Sequence, residues 1–82
     1  MGLSSEKIVR FNGVVVGFEV LEKYGNVLYV QGSVDGKDSS FYLVVSPELY
    51  KEYEVRGVGR MIDGKGVLLS EDPIVIKYLG EK

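Results

Sequence analysis

Short β-favouring runs separated by turn residues constrain the fold of this chain more than any other feature of its sequence. In the last third, runs from Glu54 to Ile62 and from Gly66 to Leu69 flank Asp63-Gly64-Lys65, which is typical of a tight hairpin turn. A single short helix is predicted between Ser46 and Tyr53. Before it come three other strand-like runs, Ile8 to Leu21, Val27 to Val34 and Ser39 to Val45. The sequence therefore predicts the order strand, strand, strand, short helix, strand, strand.

Local signals support several of these elements. Gly13 and Gly17 interrupt the first run, and glycine tolerates the bulge that a long strand needs in order to bend sharply. Ser46-Pro47-Glu48 is typical of a helix start, with a capping serine, a proline at the first helical position and an acid in the first turn. In strand three, Phe41, Leu43 and Val45 are assigned to point inward. A register slip of one residue would reverse this assignment.

The composition excludes most enzyme classes. The chain has 82 residues, which predicts one domain over residues 1–82 with its core between residues 8 and 79. It contains no cysteine and no histidine, so thiolate metal sites, disulfides and His-based catalysis are absent. The acid pairs, Glu71-Asp72 and Asp35 with Asp38, lie in predicted turns and lack a nucleophile or an EF-hand spacing. We therefore expect no enzymatic activity, no metal and no cofactor.

Hydropathy and charge limit the cellular locations and the binding partners that we expect for this chain. Apolar runs such as Val14-Val15-Val16 are too short for a membrane span, and no signal peptide is recognisable, so we expect a soluble, cytoplasmic protein. Lys and Glu are abundant while Cys, Asn, Gln and Met are scarce, a bias typical of thermophilic archaea or bacteria. The net charge of −2 argues against a general nucleic-acid coat, because phosphate binding requires a positive field.

Several glycine and apolar positions resemble those of the oligonucleotide/oligosaccharide-binding (OB) family. They are Gly13 in strand one, Tyr53-x-Val55-x-Gly57 entering strand four, the Gly64 turn and the closing Ile76-x-x-Leu79. The resemblance covers about residues 8–79 and is closest to the replication protein A-like and anticodon-binding branches. It implies an all-β fold, a five-stranded Greek-key barrel with one short helix between strands three and four. The same pattern recurs in OB domains that bind only proteins.

The resemblance also implies a ligand face across strands two and three and the loops beside them. The residues predicted for nucleic-acid binding are Lys23, Tyr24, Tyr29, Gln31, Tyr42 and Lys65, with Lys65 in the loop between strands four and five. Tyrosine rings stack on unpaired bases, and lysines attract the phosphates. The alternative is that tyrosine is simply a favoured strand residue and that the lysines keep turns soluble. The sequence leaves both interpretations open.

A second surface is predicted on strand four, where Arg56 and Arg60 share a parity and suit phosphates or an acidic partner. Ordinary ion pairing with Glu19 or Glu54 is the favoured alternative for these arginines. Gly57-Val58-Gly59 is assigned to close packing inside the strand. Outward aliphatic side chains predict an apolar patch for a protein partner, formed by Val14, Val16, Val44, Val58 and Ile62. The partner-binding residues are therefore predicted to be Arg56, Val58 and Arg60.

These features predict a non-enzymatic accessory module of a nucleic-acid-processing complex, of the DNA replication or repair type. Such a module binds a protein partner and contacts single-stranded DNA or RNA, without a membrane or a small-molecule substrate. The alternative is a subunit that binds only protein. The tyrosines of the ligand face favour strand contact, whereas the acidic net charge and the short loops favour the protein partner.

Overall fold

The computed structural model describes residues 7–80, which form five strands and one helix. The elements are β1 (Lys7–Leu21), β2 (Gly25–Val34), β3 (Lys37–Val44), α1 (Pro47–Arg56), β4 (Met61–Glu71) and β5 (Ile74–Gly80). The strands close into a barrel in the order β1-β2-β3-β5-β4, and β4 pairs back onto β1. Neighbouring strands are antiparallel except for β3 and β5, which are parallel. This closed five-stranded barrel, with its helix between β3 and β4, confirms the predicted OB-type fold.

Apolar side chains from all five strands fill the barrel. Phe11 and Phe41 meet edge to face at its centre, with ring centroids 5.5 Å apart. The side chains of Phe41, Leu43 and Val45 are buried, which confirms the inward parity predicted for strand three. The remaining members of the buried cluster are Val9, Val15, Leu28, Val30, Ile62 and Ile76. Ile62 was predicted to point outward, and its 4% exposure shows that this assignment is wrong.

β1 pairs with both β2 and β4 because it bends at a bulge. Residues 7–14 pair with β4, residues 11–21 pair with β2, and the β1–β2 register shifts between Val15 and Gly17. Just before the bulge, Gly13 lies opposite Gly32, and a Cβ atom at Gly13 would lie 2.6 Å from the carbonyl oxygen of Gln31. The two backbones approach so closely that neither position has room for a side chain, as the predicted bend requires.

The helix closes one end of the barrel. The N–H of Leu49 donates to Oγ of Ser46 at 3.1 Å, so the predicted serine cap is confirmed. Leu49, Tyr50 and Tyr53 pack against the core. The helix continues beyond the predicted end at Tyr53 to Arg56, because Gly57 adopts a positive φ of 87° and its N–H donates to the carbonyl of Tyr53 at 2.9 Å.

The predicted hairpin around Asp63-Gly64-Lys65 is wrong. These residues lie inside β4, and the turn that connects β4 to β5 falls at Asp72 and Pro73. The glycines of this segment allow close strand packing instead of a turn: a Cβ atom at Gly66 would lie 2.5 Å from Cγ2 of Ile76 on β5. Lys65 is therefore a mid-strand residue, directly opposite Arg10 on β1.

The segment before β4 also differs from the prediction. Gly57-Val58-Gly59 forms a loop and not a strand, and both glycines have positive φ with open space where a side chain would stand. Arg56 ends the helix, where it forms an ion pair with Glu52 at 3.4 Å. Arg60 lies in the loop. The predicted arrangement of Arg56 and Arg60 on one face of strand four is therefore not formed.

Candidate nucleic-acid interface

Two tyrosines lie side by side on the outer surface of β2 and β3. Tyr29 and Tyr42 are direct partners in the β2–β3 ladder, with ring centroids 5.1 Å apart and ring planes inclined by 42°. Neither belongs to the buried cluster, and both are half-buried. Their strand neighbours Val30 and Phe41 point into the barrel, which fixes the tyrosine rings on the outside. The pair therefore forms an aromatic platform on the outer wall.

The platform is open on its β1 side. Gly17 lies opposite Tyr29 in the β1–β2 ladder and contributes no side chain. A Cβ atom at Gly17 would lie at an ordinary contact distance, 3.6 Å, from Cβ of Tyr29. On the other side, Val75 of β5 lies opposite Tyr42 and is buried. The position of β1 opposite Tyr29 therefore has no side chain that covers the tyrosine pair.

Polar side chains continue the platform toward the β2–β3 turn. Gln31 and Ser40 are paired across β2 and β3, and both are exposed. In the next row of the same face, Oγ of Ser33 donates to Oδ1 of Asn12 at 3.2 Å. Amide and hydroxyl groups at these positions can hydrogen-bond to base edges or sugars.

One lysine lies on the same face as the platform, and another lies at the β1–β2 turn. At the β1–β2 turn, Nζ of Lys23 lies 5.5 Å from the centre of the Tyr24 ring, a cation–π contact. Lys77 of β5 is exposed and lies opposite Val44, which is two residues from Tyr42 on the same face of β3. We define the tyrosine face as Tyr29, Gln31, Ser40, Tyr42 and Lys77.

Lys77 is a residue that the sequence analysis missed. Parallel pairing of β3 with β5 brings it to this face, whereas strand five was predicted at Gly66 to Leu69, with Ile74 to Leu79 as a further extended segment. The signal that could have found it is the β-favouring run Ile74-Val75-Ile76, which follows the proline expected at a strand start.

Lys65 is not part of the tyrosine face. Tyr29 lies opposite Gly17 of β1, and Lys65 lies opposite Arg10 of β1. Tyr29 and Lys65 are therefore separated along β1 by the distance from residue 10 to residue 17. At about 3.3 Å per residue this separation is roughly 20 Å. The predicted set is therefore divided: Tyr29, Gln31 and Tyr42 lie together, Lys23 and Tyr24 lie at the adjoining turn, and Lys65 lies on another part of the barrel.

The residues predicted to form the partner surface also lie at different places in the structure. The N–H of Gly59 donates to the carbonyl of Val15, and the N–H of Val15 donates to the carbonyl of Arg60, each at 2.8 Å. These bonds hold the loop between α1 and β4 against the β1 bulge. The exposed aliphatic side chains at this place, which we call the bulge patch, are Val16, Val58 and Met61, exposed by 40%, 61% and 71%. Arg56 lies on the helix, outside this patch.

Comparison with known proteins finds no matching family model, no matching curated protein and no matching solved structure. Within residues 7–80, no group of three or more acidic side chains is placed to hold a metal ion. The helix in the same range is neither long nor apolar enough to cross a membrane. The class of this protein therefore rests on its strand order and on its outer surface: it is an OB-type barrel, a fold compatible with binding nucleic acid or protein.

Proposed function

We propose that this protein is a non-enzymatic binding module that holds an unpaired nucleic-acid strand on its tyrosine face, as an accessory part of a nucleic-acid-processing complex. The adjacent pair Tyr29–Tyr42, half-exposed at a centroid distance of 5.1 Å, is the observation that carries the proposal. Two neighbouring rings on a rigid sheet offer stacking surfaces to successive bases. Gly17, which lies opposite Tyr29, has no side chain that would keep a base away from the ring.

Stacking, rather than charge, supplies most of the expected binding energy. Base–aromatic stacking contributes about 1–3 kcal/mol per base and depends little on sequence. The chain has a net charge of −2, so a long-range attraction for phosphates is lacking. Lys77 supplies local positive charge on the tyrosine face, and Lys23 supplies it at the β1–β2 turn. We expect modest affinity, little sequence preference and little competition from double-stranded DNA, whose bases are already stacked.

The test is fluorescence anisotropy with a labelled oligothymidylate of about ten nucleotides at low salt. Tyr29→Ala and Tyr42→Ala should each weaken binding by roughly 5- to 150-fold, because each removes one stacking surface. Tyr42→Phe is the matched control, since it keeps the ring and should bind nearly as the wild type does. Absence of binding by the wild type would reject the proposal, as would equal losses for Tyr42→Phe and Tyr42→Ala.

A second function, binding to a protein partner, is supported by the bulge patch. Val58 and Met61 are large apolar side chains exposed by 61% and 71%, and the main-chain bonds of Gly59 and Arg60 to Val15 hold them in place. Adjacent exposed apolar groups on a rigid support are typical of protein interfaces. In this case the barrel is a subunit attached through the β1 bulge, with or without a nucleic-acid strand on the tyrosine face.

This second function is tested by capture of the host complex at about 1 M salt, where exposed charge pairs are screened but apolar contacts persist. Val58→Glu should abolish co-elution of the partner. Val55→Glu is the matched control, because Val55 is 79% exposed on the helix and outside the bulge patch. If both variants retain the partner, or if the complex dissociates at moderate salt, the bulge patch is not the interface.

A further inference from the structure

The tyrosine face and the bulge patch are parts of one continuous outer surface. Gln31 of the tyrosine face lies opposite Val14 of β1, and Val14 in turn lies opposite Met61 of the bulge patch. Neighbouring strands lie about 4.8 Å apart, so the main chains at Gln31 and Met61 are separated by about 10 Å. Val14 is half-buried and apolar. Apolar surface therefore extends from the edge of the tyrosine face to Met61.

The bulge brings a second apolar residue of the patch next to the tyrosine pair. Val16 is the extra residue of the bulge and directly precedes Gly17, which lies opposite Tyr29. The side chain of Val16 is 40% exposed. The apolar surface therefore borders Tyr29 as well as Gln31, and the bulge patch lies beside both rows of the tyrosine face.

Acidic side chains lie on either side of this surface and not on it. The cross-strand row that ends at Met61 carries no charge, and its members are Met61, Val14, Gln31 and Ser40. The next row toward the β2–β3 turn has a carboxylate at each end, and its members are Asp63, Asn12, Ser33 and Asp38. On the other side of the tyrosine pair, Glu19 lies opposite Val27, and Glu22 precedes Lys23 in the β1–β2 turn. Carboxylates repel phosphates, so a strand on the tyrosine pair is expected to cross the sheet along the uncharged row instead of following β2 toward either turn.

We propose that the bulge patch is a further base-binding subsite for the unpaired strand held on the tyrosine face, an inference that rests on the proposed function. Successive bases contact Tyr42, Tyr29 and then Met61, so the strand crosses β3, β2, β1 and the start of β4. The thioether of methionine makes favourable contacts with aromatic rings, and apolar side chains, methionine among them, insert between bases in protein–DNA complexes. The whole site then holds about four nucleotides, at the lower end of the range for an OB fold.

The first test measures binding of the labelled oligothymidylate to variants of two exposed apolar residues on β4. Met61→Gln keeps the length of the side chain but makes it polar, and should weaken binding by roughly 3- to 10-fold. Leu69→Gln is the matched control, because Leu69 is 42% exposed near the other end of the same strand, and it should bind as the wild type does. Circular dichroism confirms that each variant is folded.

The second test observes Met61 directly by nuclear magnetic resonance. The chain contains two methionines, Met1 and Met61, so isotope labelling of the methionine methyl groups gives a simple spectrum. Met61→Gln removes one methyl signal and thereby assigns it. Addition of oligothymidylate should shift the Met61 signal of the wild type. The same concentration should shift it less in Tyr42→Ala, because the strand is then held less tightly beside the patch.

The outcomes separate this subsite from the proposed function. If Tyr42→Ala weakens binding while Met61→Gln does not, and the Met61 signal stays unchanged, the strand is confined to the tyrosine face and the subsite is rejected. If the wild type binds no oligothymidylate, the proposed function fails together with the subsite. If Met61→Gln binds the oligonucleotide as the wild type does but no longer captures a host protein at about 1 M salt, the patch is a protein interface, which also overturns the inference.

Discussion

At the scale of single residues, the tightest point of the barrel is the crossing of Gly13 and Gly32. A Cβ atom at Gly13 would lie 2.6 Å from both the carbonyl oxygen of Gln31 and Cγ1 of Val30. Val30 is fully buried, so it cannot move away without disturbing the core. Any side chain at Gly13 therefore has to separate β1 from β2 at the place where the barrel bends.

We expect Gly13→Ala to lower the free energy of unfolding by about 1–3 kcal/mol, the usual effect of forcing an extra methyl group into a packed site. Gly17→Ala in the same strand is the control, because its Cβ atom meets only Cβ of Tyr29 at 3.6 Å, and the expected change is within about 0.5 kcal/mol. Urea denaturation monitored by circular dichroism gives both values. Equal midpoints for the two variants would contradict the close approach of the strands.

At the scale of elements, the stability of the helix depends on its first turn. Ser46 accepts the N–H of Leu49 at 3.1 Å, and the helix then brings Leu49, Tyr50 and Tyr53 onto the end of the barrel. The ring of Tyr50 meets Phe18 edge to face, with centroids 6.0 Å apart. Because no residue of the helix is fully buried, its cap contributes a large share of its stability.

Ser46→Ala should therefore reduce stability by about 1 kcal/mol, whereas Ser46→Asp, which preserves an oxygen acceptor at the cap, should retain most of it. The measurement is the midpoint of thermal or urea unfolding, compared for the three proteins under identical conditions. Equal stability of Ser46→Ala and the wild type would mean that packing of the aromatic side chains alone holds the helix in place.

Elements with local signals were predictable from the sequence, and elements that depend on distant pairing were not. The serine cap and the alternation in β3 act within a few residues and are found as predicted, and the turn predicted from Asp35 to Asp38 is found at Asp35 and Gly36. The second Asp-Gly pair, Asp63-Gly64, has the same local signature. It lies inside β4 because β1 and β5 pair with that strand on both sides. The parallel pairing that brings Lys77 onto the tyrosine face is likewise non-local.

At the scale of the whole molecule, the positive charges are divided among separate surfaces. Lys77 belongs to the tyrosine face and Lys23 lies at the β1–β2 turn, Arg10 and Lys65 face each other across β1 and β4, and Lys7 and Lys37 line a cavity at the end of the barrel away from the helix. With a net charge of −2, no single face offers a broad positive field. The dependence of binding on salt therefore reports which local charges a nucleic-acid strand contacts.

For the labelled oligothymidylate we expect a shallow salt dependence, with a slope of log K against log salt near −0.7 for each phosphate neutralised. Lys77→Ala should reduce this slope by about 0.7, because Lys77 borders the tyrosine face. Lys65→Ala is the matched control and should leave the slope unchanged, since Lys65 lies opposite Arg10, away from Tyr29. Anisotropy titrations over a series of salt concentrations measure all three slopes. If Lys65→Ala reduces the slope and Lys77→Ala does not, the strand follows β1 and β4 instead, and the tyrosine pair is not the platform.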